Sequence, residues 1–101
     1  VVPTQALVLM NDEFIEDQAA FLAQRATAES DGTLAKTIER MHRLALARAP
    51  APERLQHAAS FVTAREAVYA SETDAKTSPR QRALADLAHV LFNSSEFITI
   101  E

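Results

Sequence analysis

Apolar residues recur every three or four positions through most of this chain, and four prolines and a single glycine interrupt the pattern. Such spacing puts apolar side chains along one side of an α-helix. Val, Ile and Thr never alternate with polar residues over the length of a strand, so strands are not expected. The sequence therefore predicts an all-α fold, a single-domain bundle of about five helices with short loops and a short extended C-terminal tail.

Proline, glycine and capping residues predict where these helices begin and end. The first predicted helix runs from Pro3 to Met10, and the second from Asn11 or Asp12 to about Ala28. The third is capped by Thr33 and runs to about Arg48, and the fourth runs from Pro52 to a polar loop at Ser71–Ser78. The fifth runs from Pro79 to Asn93–Ser95 and is followed by the tail 96–101.

The predicted core consists of the apolar stripes of these helices. On the second helix it comprises Phe14, Ile15, Phe21, Leu22 and Ala26, and on the third Leu34, Ile38, Met41 and Ala45, with Leu44 beside them. On the fourth helix it comprises Leu55, Ala59, Val62 and Tyr69, with Phe61 and Val68 on a second face. On the fifth it comprises Leu84, Leu87, Ala88 and Leu91. A chain of 101 residues is expected to bury roughly 60 to 65% of its unfolded surface around one such core.

Composition excludes several classes of function. The net charge of -4 offers no attraction for nucleic acid or anionic lipid, and no apolar stretch approaches the roughly 20 residues of a membrane span. The absence of cysteine excludes disulfides, thiolate metal sites and a haem-attachment motif within these residues. Because the first residues carry no initiator Met and no signal-peptide pattern, we expect the chain to begin within a larger protein.

Two helices carry an acidic residue three positions before a histidine, as Glu39-x-x-His42 and Asp86-x-x-His89. This pattern builds di-iron sites in helical bundles. On a helical wheel both carboxylates point away from the apolar stripes, so we expect no metal site and no cofactor. His42, His57 and His89 lack a serine nucleophile in a recognisable context, and we expect no catalytic residues.

Three polar residues do fall on apolar stripes: Gln18 and Arg25 on the second helix and Glu66 on the fourth. Buried polar groups are costly when unpaired. They are therefore predicted either to be buried and bonded inside the bundle, with Arg25 reaching a carboxylate such as Glu66, or to face a partner domain. For Glu66, a salt-bridged position at the rim of the core is favoured over a catalytic acid.

Three stretches of the sequence resemble a known family. The opening VVPTQALVLMNDEFIEDQA, the central RLALARAPAPERL and the ending ADLAHVLFNSSEFITIE are similar to the C-terminal region of a planctomycete surface-protein family of unknown function, domain of unknown function fifteen fifty-three. Where Ala47 stands that family usually has glycine. A tryptophan is common near Leu84 and an aromatic residue near Thr99, and all three differences are interpreted as packing substitutions.

The resemblance implies an exported parent protein, periplasmic or at the cell surface, with a cytochrome c-like haem domain upstream and no established catalytic residues in this region. The leading hypothesis is a non-catalytic helical module that packs against other domains of its parent; a homo-oligomer would satisfy the same exposed apolar surface. The alternative is one wall of the active or binding site of an exported enzyme, acting on polysaccharide or in redox chemistry.

Overall fold

The computed structural model describes residues 12–72 and 76–94, and these form four α-helices without a strand. The helices are α1 (Asp12–Glu29), α2 (Leu34–Leu46), α3 (Pro52–Ala70) and α4 (Pro79–Phe92). They correspond to the second to fifth predicted helices, and the all-α prediction is confirmed. The predicted first helix and C-terminal tail lie outside the described residues.

The turn between α1 and α2 is built from side chains that bond to the local backbone. Asp31 Oδ1 accepts a hydrogen bond from the Thr33 backbone N–H at 2.9 Å, and Thr33 Oγ1 accepts one from the Lys36 N–H at 3.3 Å. Thr33 is thus the N-cap of α2, as predicted. Gly32 has φ 90°, a left-handed conformation that glycine adopts without a steric penalty.

The C-terminal end of α2 comes two residues earlier than predicted. Ala47 adopts φ 65° and ψ 20°, and its N–H donates to the Arg43 carbonyl at 3.0 Å. A left-handed residue at this position closes a helix. Ala47 is exposed, so the interpretation of this alanine as a packing substitution is wrong, and the position is set by backbone conformation.

Proline starts the two remaining helices, as predicted. Pro52 occupies the first turn of α3 and Pro79 that of α4, where the missing N–H has no intrahelical partner to lose. Ser78 caps α4 by accepting a hydrogen bond from the Gln81 N–H at 3.1 Å. The N-cap of α3, Ala51, makes no side-chain capping bond.

The core lies between α4 and the other three helices, and α4 contacts all of them. Its buried apolar residues are Ala19, Leu22, Ala23, Ala26, Ile38, Met41, Ala58, Val62, Ala83, Leu84, Leu87, Ala88 and Leu91. The stripes predicted for α2, α3 and α4 contribute to this core or pack against it, but the prediction is wrong for Val68 of α3, which is 50% exposed. None of the four helices is both long and apolar enough to cross a membrane.

The stripe predicted for α1 is correct on one side only. Leu22 and Ala26 are buried, but Phe14 and Phe21 are exposed. The inward side of α1 carries alanines at positions 19, 23 and 26 instead. Because alanine occupies little space, a helix lined with it can approach its neighbours closely, and an aromatic ring on the same side would be too large.

Candidate interaction surface

The outward side of α1 carries two aromatic rings. Phe21 is 58% exposed and Phe14 is 46% exposed, and Gln18 and Arg25 are exposed as well. At about 100° per residue, these four side chains lie within about 60° of one another around the helix. We call Phe14, Gln18, Phe21 and Arg25 the α1 face.

The structure tests one of the two alternatives predicted for Gln18 and Arg25, namely that they are buried inside the bundle. Neither is a buried polar group, because the alanine side of α1, and not the α1 face, is turned toward the core. Arg25 does reach a carboxylate, but that carboxylate is Glu29, one turn further along the same helix, at 2.7 Å, and not Glu66. The partner-facing alternative stays a prediction.

Glu29 joins α1 to α2. Its two oxygens bond to separate guanidinium groups, Oε2 to Arg25 Nε at 2.7 Å and Oε1 to Arg40 Nη2 at 2.6 Å. Hydrogen bonds from Arg25 and then Arg40 hold the pKa of Glu29 below its usual value. Because all three side chains are at least one-third exposed, these two ion pairs fix the orientation of α1 and α2 more than they stabilise the fold.

Glu66 lies at the rim of the contact between α3 and α4. Its Oε1 accepts a hydrogen bond from Arg80 Nε at 2.9 Å, and the two side chains are 32% and 41% exposed. This is the salt-bridged rim position that the sequence favoured.

A second polar cluster between α3 and α4 was missed by the sequence reasoning. Tyr69 donates from its hydroxyl to Asp86 Oδ2 at 2.5 Å, and Arg65 donates to the same carboxylate at 3.0 Å and to the Tyr69 oxygen at 2.9 Å. The Arg82 guanidinium lies 3.8 Å from the centre of the Tyr69 ring, in cation–π geometry. The available signal was a tyrosine on an apolar stripe, since its hydroxyl usually has a partner when buried.

The residues considered for a di-iron site do not meet. Glu39 pairs with Lys36 at 3.8 Å, and His42 bonds through Nδ1 to the Ile38 carbonyl at 2.9 Å. Asp86 faces α3 through its bonds to Arg65 and Tyr69, so its predicted solvent-facing orientation is wrong. Within residues 12–72 and 76–94, no three side chains of His, Asp or Glu form a group that could hold a metal ion.

Two shallow clefts meet at the buried imidazole of His42. One, of about 410 Å³, is lined by the connection from α2 to α3 and includes Arg48 and Arg54. The other, of about 620 Å³, lies between α3 and α4 and is mainly apolar, with His57 at its edge. Burial lowers the pKa of His42, and the nearby charge of Arg54 lowers it further.

The paired polar side chains described above form separate small clusters at the rims between helices. General acid–base or nucleophilic chemistry requires a nucleophile, a base and a charge-stabilising group that converge on one reacting atom. Among residues 12–72 and 76–94, these hydrogen bonds and ion pairs do not bring such a set together. The most distinctive surface is the α1 face, which combines aromatic rings, an amide and a guanidinium.

Comparison with known proteins places the chain in a family. No curated protein and no solved structure matches it. The family model described as "PSD1: Protein of unknown function (DUF1553)" matches residues 1–62, more than half of the 101 residues. This range includes α1 and α2 and ends within α3, so the resemblance noted for the ending of the sequence lies beyond it. The chain therefore belongs to the PSD1 family of proteins of unknown function (DUF1553).

Proposed function

We propose that this chain is a non-catalytic helical module, located at the C-terminal end of a larger exported protein, that packs against other domains of that protein. The observation that carries the proposal is the α1 face. Phe21, 58% exposed, lies on it between Gln18 and Arg25. A surface that combines an aromatic ring with an amide and a guanidinium has the composition that is enriched at the centre of protein interfaces.

The exposed rings give a packing partner a clear energetic gain. Complete burial of a phenylalanine side chain contributes about 1.5 to 3 kcal/mol. About half of each ring is still accessible, 58% for Phe21 and 46% for Phe14. Covering both would therefore contribute about 1.5 to 3 kcal/mol in all, before the losses of motional freedom that accompany association.

The pairing of the polar residues supports a non-catalytic role. Glu66 is held by Arg80 and Asp86 by Arg65 and Tyr69, so these two carboxylates serve to orient α3 and α4. The haem that the family resemblance implies would lie in an upstream domain, because this chain has no cysteine to form a covalent haem-attachment motif.

The proposal is tested by binding between this chain and the upstream remainder of its parent, produced as a separate polypeptide. Isothermal titration should show saturable binding, and Phe21→Ala should weaken it by about four- to twentyfold, the loss expected from the exposed part of its ring. Val68→Ala is the control, because Val68 is 50% exposed but lies on α3. Absence of binding, or equal weakening by both substitutions, would overturn the proposal. Export is tested separately, by fractionation of the cells that make the parent protein.

A second candidate function is one wall of a binding or active site in an exported enzyme that acts on polysaccharide or in redox chemistry. The cleft of about 620 Å³ between α3 and α4 favours it, because apolar Phe61, Val90 and Leu91 are accompanied there by His57 and Glu53. Under this alternative His57→Ala in the full-length parent should reduce activity while Phe21→Ala does not. The module proposal expects the reverse order of effects.

A further inference from the structure

We infer that the partner covering the α1 face is an amphipathic helix with an apolar seam and basic flanking residues. The inference rests on the proposed function and adds the chemistry of the surface that would cover this site. Two independent observations support it: the spacing of the residues on α1 and the sign of the charge beside them.

The α1 face has the spacing of a coiled-coil seam. Phe14, Gln18, Phe21 and Arg25 follow one another at intervals of four, three and four residues. In a heptad pattern these are alternating d and a positions, with both phenylalanines at d. Such a seam accepts one helix, lying at about 20° to α1, over about 16 Å of its length. An irregular loop would not match this regular repeat.

The charge beside the seam determines what the partner helix must carry. Asp17 and Glu13 are exposed and lie at about 70° and 110° from the centre of the α1 face, on its outer flank. From residue 12 to residue 24 the sequence contains four acidic residues and no basic one. Lysine or arginine on the partner would therefore be attracted, and acidic residues there would be repelled.

The basic group of the face itself is already engaged. Arg25 is bonded to Glu29 at 2.7 Å, and Glu29 also holds Arg40. One carboxylate balances only one of these two guanidinium groups, so the C-terminal end of the α1 face stays net positive. The acidic flank of Asp17 and Glu13 is confined to the N-terminal half of the face, and it is there that a helix with basic flanks fits better than one with acidic flanks.

The test uses two synthetic 18-residue helical peptides with the same leucine seam, one with lysine and one with glutamate at the flanking positions. Each is titrated into isotope-labelled protein, and amide chemical shifts give both the affinity and the location of binding. We expect the lysine peptide to bind at α1, and Phe21→Ala to weaken it by at least about tenfold.

Two charge variants of α1 provide a matched pair. Asp17→Lys changes the flank of the α1 face, whereas Glu16→Lys makes the same change in charge one residue away, at about 170° from the centre of that face. Asp17→Lys should weaken binding of the lysine peptide by about threefold or more, and this loss of affinity should become smaller as the salt concentration is raised. Glu16→Lys should weaken binding of the same peptide less.

Equal binding of both peptides, shift changes away from α1, or equal effects of the two charge variants would overturn the inference. A dimer in sedimentation experiments that Phe21→Ala dissociates would make a second copy the occupant and would also overturn it. If the remainder of the parent binds through Phe21 but the lysine peptide does not, the proposed function stands and only the chemistry assigned to the partner fails.

Discussion

Replacing Ala47 by glycine should stabilise this protein. Ala47 has φ 65° and ψ 20° at the end of α2, where its Cβ is forced toward the backbone. A left-handed conformation costs an L-residue with a Cβ about 1 to 2 kcal/mol. Glycine avoids this cost but loses more conformational freedom on folding, which offsets about 0.4 to 1 kcal/mol of the gain.

Taken at the middle of these ranges, the net effect of Ala47→Gly is a gain of about 0.8 kcal/mol in the free energy of unfolding, or about 3 to 6 °C in Tm. No packing is lost, because Ala47 is exposed. The hydrogen bond from its N–H to the Arg43 carbonyl is kept, since it involves only the backbone. Urea denaturation followed by circular dichroism should show a higher midpoint with an unchanged slope.

The control is the same substitution at Ala64, an exposed residue in the interior of α3. There the backbone is already right-handed, so glycine should destabilise the protein by about 1 kcal/mol. The opposite signs of the two effects are the signature of a left-handed Ala47. If Ala47→Gly lowered the midpoint as Ala64→Gly does, the conformational argument would be refuted.

Three further predictions follow from local chemistry. Burial lowers the pKa of His42 below its usual 6.5, so the unfolded chain binds a proton more readily than the folded protein. Stability should therefore fall as the pH drops below about 6.5. Urea midpoints between pH 8 and pH 5 measure this, and His42→Gln should make them less dependent on pH. Tyr69→Phe, which removes the hydroxyl bonded to Asp86 and Arg65, should cost about 1 kcal/mol in chemical denaturation. Gly32→Ala should cost about 1 kcal/mol or more in the same assay because φ is 90° there.

The helix boundaries were predictable because their signals are local. Thr33 and Ser78 cap the helices that follow them, and Pro52 and Pro79 occupy first turns. Each of these effects depends on a few neighbouring residues, so a single sequence contains the whole cause. The stripe of α4 was equally clear, because its three leucines, Leu84, Leu87 and Leu91, recur on one side.

The orientation of α1 was harder to predict because alanine carries little hydrophobic weight. The core side of this helix is mainly alanine, at positions 19, 23 and 26, whereas the bulky Phe14 and Phe21 lie elsewhere. When the residues of α1 are weighted by hydrophobicity, the predicted stripe shifts toward Phe14 and Phe21. Which side of α1 faces the core depends on how the helix packs against its neighbours, and that is a tertiary property.

Polar partners were predictable only within a helix. Arg25 and Glu29 are four residues apart, the separation at which helical side chains meet. Arg65 and Asp86 are 21 residues apart on different helices, and the match between their two faces depends on how α3 lies against α4. A single sequence does not contain that register, which is why Asp86 was assigned to solvent.

The arrangement of α1, with alanines turned inward and phenylalanines turned outward, links the fold to the proposed function. In a helix that served only its own bundle, the largest apolar residues would be turned inward and small or polar ones outward. Here Ala19 and Ala23 are at most 1% exposed while Phe21 is 58% exposed. Close packing through alanine explains the inward side, but it gives no reason for a phenylalanine on the outward side. A single exposed ring is common on protein surfaces, whereas two rings seven residues apart beside an acidic flank are the features that the proposed helical partner would cover.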